Sequence, residues 1–355
     1  MIDRIDAARI TLDNGYSFSR VINGCWQLSA EHCLQGKLDI DDAVRAFHML
    51  KERGLTTFDC ADIYTGVEEI LGRFVSELKA MGGYSHDDIQ IHTKFVPDLN
   101  LLDQVDFAYT EKVVDRSLKR MGRDCLDLVQ FHWWDYEVPG MMEAAWDLVK
   151  LQEKGKIRNI AMCNYDTPHL KQMLDAGLHV VSNQTQYSLF DRRPERALLR
   201  FSREHDVYCF CYGTLSGGLL AERWIGARRE DFVPETRSHV KYLQIVEDSL
   251  GWDGYQKLLV LLKDIADAQG ASISNVAAKY ILNQPGVGAI MLGCRNSRHV
   301  EDNARVASLQ LTEAQMQAIR EFVSRYPTPE GEPFTLERTP GSRYRNIMKM
   351  NLNKA

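Results

Sequence analysis

One local unit recurs along the chain: an amphipathic stretch, a basic or polar residue, a glycine, then a short apolar run. Residues 41–53 read as a helix, closed by Gly54 and followed by the strand Leu55-Thr56-Thr57-Phe58. Residues 141–154 and 170–176 repeat the pattern, with Gly155 and Gly177 before residues 157–162 and 179–182. Glycine supplies the left-handed conformation that closes a helix, and a basic last turn suits the helix dipole. Further apolar runs occur at 21–22, 89–95, 126–131, 207–212 and 287–292, giving eight expected strands with helical periodicity between them. Strands alternating with helices build βαβ units and a parallel sheet, and eight units point to a closed (β/α)8 TIM barrel.

The length of 355 residues fits such a barrel read as one domain, with the barrel over about 21–325. Three segments fall outside the repeat. Asn14-Gly15 lies between alternating residues, a hairpin signal, and this hairpin is expected to plug the barrel floor. Residues 219–254 form a long polar insertion after the seventh strand, where insertions border the site. The C-terminal extension, 328–355, is rich in Pro, Gly and Arg. It is expected to be a solvated tail, with a flap over the site as the alternative.

With 45% hydrophobic and 26% charged residues, the chain reads as globular rather than disordered. A net charge of −6 gives no broad footprint for nucleic acid or an anionic membrane. No apolar run reaches the roughly 18 residues of a membrane span, and Met1-Ile2-Asp3-Arg4 opens no signal core. The eight cysteines, Cys33 among them, form no Cys-x-x-Cys pair, which points to reduced thiols, a cytoplasmic location and no metal site.

Catalytic groups in a barrel of this kind lie where strands end at the C-terminal face. Those ends carry Asp59, Lys94, His132, Asn164, Gln184, Tyr212 and Gly293-Cys294-Arg295. Lys94 shares parity with His92 and Gln90, opposite to Ile89, Ile91 and Phe95, so it should point into the barrel mouth. Asp59, on the neighbouring strand, is its expected counter-ion, either as a structural pair or as part of an acid catalyst. Tyr64 follows Asp59 by five residues. An ammonium beside a phenol lowers its pKa from near 10, which suits proton donation to a carbonyl. His132 is placed to hydrogen-bond the substrate oxygen.

These residues resemble the aldo-keto reductases. The likeness rests on Phe58-Asp59-Cys60-Ala61-x-x-Tyr64, Thr93-Lys94, Asp127-Leu128-Val129-Gln130-Phe131-His132, Gly155-Lys156-Ile157-Arg158 with Cys163-Asn164, Asn183-Gln184-x-x-Tyr187, Leu215-Ser216-Gly217-Gly218-Leu219 and Gly293-Cys294-Arg295-Asn296 leading to Asn303. The resemblance implies a barrel that binds NADP(H), with NAD(H) as the other choice, and no Gly-x-Gly-x-x-Gly fingerprint is present. It implies reduction of an aldehyde or ketone to an alcohol, or the reverse oxidation, with Tyr64 as proton donor, Lys94 and Asp59 as its tuners and His132 orienting the carbonyl.

The same resemblance puts Cys163, Asn164 and Gln184 at the nicotinamide carboxamide and Tyr212 on its ring. Gly213, Leu215 and Gly217 would run beside the pyrophosphate, with Arg223 near a phosphate. Gly293, Arg295, His299, Asp302 and Asn303 match the adenosine end. Gly24, Cys25 and Trp26, at the end of the first strand, are candidate cofactor contacts, and Trp26, Trp133 and Trp134 are candidate substrate contacts. Cys163 stands where many relatives have serine, and His299 where some have arginine. The partner is then a small carbonyl or alcohol. The alternative within the resemblance is an auxiliary subunit like those of potassium channels. A Schiff-base lyase using Lys94 and a metal-dependent hydrolase are the readings from other classes.

Overall fold

Eight parallel strands close into a barrel in the computed structural model, which describes residues 8–30 and 38–353. The chain opens with an antiparallel hairpin, β1 (Arg9–Thr11) and β2 (Ser17–Ser19). The barrel strands are β3 (Val21–Gly24), β4 (Thr57–Asp59), β5 (Gln90–Phe95), β6 (Leu128–Phe131), β7 (Ile160–Cys163), β8 (Ser182–Gln186), β9 (Tyr208–Tyr212) and β10 (Val287–Gly293). They pair in chain order, and β10 closes on β3.

Helices cover the outside: α1 (Ile40–Glu52), α2 (Val67–Met81), α3 (Phe107–Met121), α4 (Met141–Glu153), α5 (Thr167–Asp175) and α6 (Leu198–Glu204). After β9 come α7 (Arg237–Asp248), α8 (Gly251–Gln269) and α9 (Ile273–Leu282). After β10 come α10 (Val300–Ser308), α11 (Glu313–Ser324), α12 (Thr335–Arg338) and α13 (Arg343–Asn346). The insertion after β9 thus contributes α7, preceded by short turns.

Local chemistry starts and stops these helices. Asp39 caps α1 by accepting from the Asp42 amide, and Asp41 and Asp42 face the positive end of its dipole. Asp106 and Asp166 cap α3 and α5 the same way. Gly72 marks a close approach: a Cβ there would lie 2.1 Å from the Arg120 carbonyl oxygen, so α2 and α3 need glycine at their crossing.

The barrel interior is filled from below. Ile10, Tyr16 and Phe18 of the hairpin pack with Leu128, Ala161, Phe210 and Ala289, so the hairpin plugs the floor as expected. His92 points inward, its Nε2 2.9 Å from the Tyr16 hydroxyl and its ring 5.8 Å from Phe210, while Ile91 and Phe95 join the core under the helices. One strand departs from expectation. The sixth barrel strand covers Ser182–Gln186, later than the apolar run at 179–182. Its side chains are polar yet buried, and its amides bond to neighbours; Asn183, for example, donates to the Tyr165 carbonyl at 2.8 Å.

Among the described residues, no helix is long and apolar enough to cross a membrane. The seven described cysteines, Cys25, Cys60, Cys125, Cys163, Cys209, Cys211 and Cys294, are unbridged. Cys33 and residues 1–7 lie outside the described residues.

Candidate active site

The ends of β4, β5, β6 and β8 bring four polar side chains together. Lys94 Nζ donates to Asp59 Oδ1 and to the Cys60 carbonyl, both at 2.7 Å. The other Asp59 oxygen accepts from Gln130 Nε2 at 2.7 Å and Gln184 Nε2 at 2.8 Å, and Gln184 Nε2 also donates to Gln130 Oε1 at 2.7 Å. Strand register sets this up, since Lys94 lies directly across from Gln130. Burial disfavours the Lys94 ammonium, but the Asp59 carboxylate more than offsets it, so Lys94 is held protonated well above its ordinary range.

Tyr64 stands over this network. Lys94 Nζ lies 5.1 Å from its ring centroid, and the Trp26 ring packs against it at 4.8 Å. Burial raises the Tyr64 pKa well above 10, against the pull of Lys94. The expected net lowering of the phenol is therefore corrected: burial outweighs the ammonium, and Tyr64 is held as a phenol with its proton in place.

His132 is buried, and its Nδ1 lies 2.8 Å from the Cys163 carbonyl oxygen. A carbonyl only accepts, so Nδ1 carries the proton. Burial, helped by Arg338, pushes the imidazole down to about 3, so it is neutral and Nε2 offers a lone pair. That Nε2 is buried without a hydrogen-bond partner among the described residues. Trp134 meets the imidazole edge-on at 4.4 Å. Trp133 is different: it is fully buried and donates to the Val138 carbonyl at 3.1 Å, a packing position rather than a mouth position.

The aldo/keto reductase family profile matches residues 20–324. The chain belongs to this family. Its members are NAD(P)H oxidoreductases of carbonyl substrates. Among relatives, the aldo-keto reductase YhdN of Bacillus subtilis is 28% identical over 299 residues, covering 81% of this chain and 85% of its own. The NADH-specific methylglyoxal reductase of Escherichia coli is 25% identical over 329 residues, covering 86% and 95%. In fold, the chain resembles the glycerol dehydrogenase AKR11B4 of Gluconobacter oxydans, with a TM-score of 0.75, 24% identity and coverage of 92% and 98%. A Klebsiella pneumoniae aldo-keto reductase solved with NADPH gives a TM-score of 0.69 at 20% identity, with the same coverage.

Residues that a reductase of this family would turn toward its cofactor line the rim from β7 to β10. The Tyr212 ring is half-buried at the end of β9, and its hydroxyl donates to Asn164 Oδ1 at 2.8 Å. Asn164 has φ 62°, and its Nδ2 meets Cys163 Sγ at 3.5 Å. Burial pushes the Cys163 thiol up to about 12, so it is a neutral, weak donor, 3.8 Å from Gln184 Oε1. Among the described residues that oxygen has no stronger partner, so it is available to a carboxamide N–H. The orphaned His132 Nε2 and the half-buried Tyr212 ring fit the reactive end of a nicotinamide cofactor.

The glycines also serve packing. A Cβ at Gly213 would lie 2.4 Å from the Tyr242 hydroxyl, and one at Gly217 would lie 2.9 Å from Ser238 Cβ. The side on which a Cβ would sit is filled by α7. Leu215 stays half-buried in the same turn. Gly293 likewise faces Gln27, whose Oε1 would lie 2.4 Å from a Cβ. Gly24 ends β3 and Cys25 follows it, with Cys25 Sγ 3.7 Å from Cys294 Sγ. Arg223 is exposed, 4.6 Å from the Trp224 ring. Arg295 is half-buried without an ionic partner among the described residues, and His299 is exposed. Asp302 accepts from Ser272 Oγ at 3.2 Å, and Asn303 Nδ2 donates to the Gly293 carbonyl at 3.0 Å. Both have structural bonds.

The extension is not a solvated tail. Phe334 covers the His132 ring at 5.3 Å, at a backbone φ of 65°. Glu337 is buried against Arg193, with both contacts at 3.1 Å, and Arg193 also holds Asp191 at 2.7 Å. Asn353 donates to Asp62 Oδ2 at 2.5 Å and to the Val96 carbonyl at 2.8 Å. The segment therefore straps across the mouth from the loop after β8 to the loops after β4 and β5. Sequence reasoning also passed over Gln130, although its parity with His132 marks it as inward-facing.

Proposed function

We propose that the chain is an NADP(H)-dependent reductase of aldehydes or ketones, running also as the reverse alcohol oxidation, with Tyr64 as the general acid. The observation that carries this reading is the Lys94 ammonium, fixed between Asp59 and the Cys60 carbonyl and lying 5.1 Å from the Tyr64 ring. When bound, the nicotinamide cofactor supplies the hydride. Gln184 Oε1 and Asn164 are the residues placed to orient its carboxamide, and Tyr212 to lie against its ring. Its presence in relatives supports this: a Klebsiella pneumoniae aldo-keto reductase was solved with NADPH.

The Tyr64 hydroxyl donates its proton to the substrate oxygen as the carbonyl carbon is reduced. The phenolate left behind is stabilised by Lys94, whose charge Asp59 maintains, and it regains a proton from solvent. His132 is expected to accept, not donate: its Nδ1 proton is committed to Cys163, so Nε2 takes a hydrogen bond from the nascent alcohol.

The protonated state of Lys94 argues against a Schiff-base lyase, because an ammonium has no lone pair for a carbonyl. Turnover separates the enzyme from an auxiliary subunit. A panel of aldehydes, ketones and sugars, followed at the NADPH and NADH absorbance, is expected to show reduction of at least one class with NADPH preferred. Tight NADPH binding without turnover across the panel would favour the subunit.

A further inference from the structure

Asn353, at the far end of the strap, is buried, and each of its polar atoms has a partner. Its backbone N–H donates to Asp98 Oδ1 at 2.7 Å, and its backbone carbonyl accepts from Arg116 Nη1 at 2.9 Å. Its side-chain oxygen accepts from Arg116 Nη2. Its Nδ2 donates to Asp62 Oδ2 at 2.5 Å and to the Val96 carbonyl at 2.8 Å. A guanidinium only donates and a carbonyl only accepts, so the orientation of the amide is forced.

The two Nδ2 bonds reach different loops. Asp62 lies two residues before Tyr64, and Val96 two residues after Lys94. Asp62 Oδ2 also accepts from the Val96 N–H at 3.0 Å. Asp62, Val96 and Asn353 therefore close a ring of hydrogen bonds that joins the loop after β4 to the end of β5. Tyr64 is held by packing, 4.8 Å from the Trp26 ring and 5.1 Å from Lys94 Nζ, so its hydroxyl lies where the loop backbone carries it. The family match ends at residue 324, and Asn353 lies beyond it.

We propose that Asn353 is a positioning residue for proton donation: its amide staples the Tyr64 loop to the strand end that carries Lys94. The proposal rests on the reductase reading above. A misplacement of about 1 Å can cost about 100-fold in rate, so a bond pair remote from the substrate can act on kcat. The strap then has two tasks, with Phe334 covering His132 and Asn353 holding the acid over its ammonium.

Asn353→Asp separates a staple from a mere anchor. The new carboxylate still accepts from Arg116, but it cannot donate to Asp62 or to Val96. With the full chain, NADPH and the best aldehyde, kcat at matched folded fraction is expected to fall about 10- to 100-fold, with KM and NADPH binding near those of the unaltered protein. In a Tyr64→Phe background the same substitution is expected to cost nothing further, because its effect passes through the hydroxyl. An unchanged kcat, a rise in KM alone, or an equal loss with and without the Tyr64 hydroxyl would overturn the proposal. If Asn353→Asp does not fold, Arg116→Gln, which frees the other side of Asn353, takes the same measurements with the same expected outcomes. If the unaltered protein reduces no aldehyde, the reductase reading fails instead. Hydrogen–deuterium exchange of residues 60–66 then decides the staple: exchange about tenfold faster in the variant supports it, and unchanged exchange overturns it.

Discussion

The Asp59 network and the C-terminal strap both bury charges at the barrel mouth, but they are positioned by different means. Asp59, Lys94, Gln130 and Gln184 come from strand ends whose register is fixed by backbone pairing on either side. The strap has only two four-residue helices, and it is held by single side chains reaching distant partners: Glu337 on Arg193, Tyr344 on Asp248, Asn353 on Asp62. The first arrangement is placed by the fold; the second is placed by its own contacts. Changes in the network should therefore strike chemistry and stability together, whereas changes in the strap, Asn353 apart, should alter access, solvation and selectivity.

Lys94→Met is the most severe test of that contrast. Removing one partner of a buried pair typically costs about 3–5 kcal/mol, and losing the tuner of a general acid costs roughly 10²–10⁴-fold in rate. Turnover measured at matched folded fraction, with folding followed by circular dichroism, is expected to fall by that factor. Normal turnover in folded protein would reduce Lys94–Asp59 to a structural pair.

Phe334→Ala attacks the strap. Loss of a buried phenylalanine is expected to cost roughly 3 kcal/mol. Its sharper consequence is at His132, whose pKa is pushed down to about 3 chiefly by burial. Because the folded value lies below the unfolded one near 6.5, the unfolded state takes up the proton first, and stability falls as pH drops from about 6.5 to 3. Admitting water should move the His132 value upward and shrink that acid-dependent loss. Urea melts from pH 7 to 4 measure it; an unchanged pH dependence would mean that Phe334 does not shield the imidazole.

Arg295→Ala probes the cofactor rim, outside both regions. It is expected to weaken NADP(H) about 10- to 100-fold while sparing NAD(H), because a guanidinium matches the extra phosphate. Equal losses would take Arg295 out of that role. Cys163→Ser is the mildest change. A hydroxyl donates better than a thiol, so cofactor binding should tighten by about 1 kcal/mol, or roughly fivefold. No change would mean that Cys163 does not contribute to the nicotinamide contact.

The same contrast decides what could be read from sequence. Period-two parity placed Lys94 and His92 inside, and short apolar runs, two of them behind a helix-closing glycine, located seven of the eight strands closely. The strand at Ser182–Gln186 escaped because its buried residues are all polar, serine, threonine and amides, and the amides find their partners outside the strand. The family motifs picked out Tyr64, Asp59, Lys94 and His132, which the fold brings to one rim. The His132 tautomer was not legible, since it depends on a carbonyl of the next strand. Nor was the strap: its Pro, Gly and Arg content looks like a solvated tail, and the acids and aromatics that hold it lie far away in sequence. Gly213 and Gly217 were legible as places of close approach, but not that α7 is what approaches.

Tyr64→Phe is the most direct test of the catalytic assignment. The substitution keeps the ring against Trp26 and Lys94 and removes only the hydroxyl. Single-turnover NADPH oxidation with the best aldehyde should slow by about 10²–10⁴-fold, while NADPH binding, read by tryptophan fluorescence, stays near that of the unaltered protein. Near-native single-turnover rates in Tyr64→Phe would contradict the account and move the proton donor elsewhere.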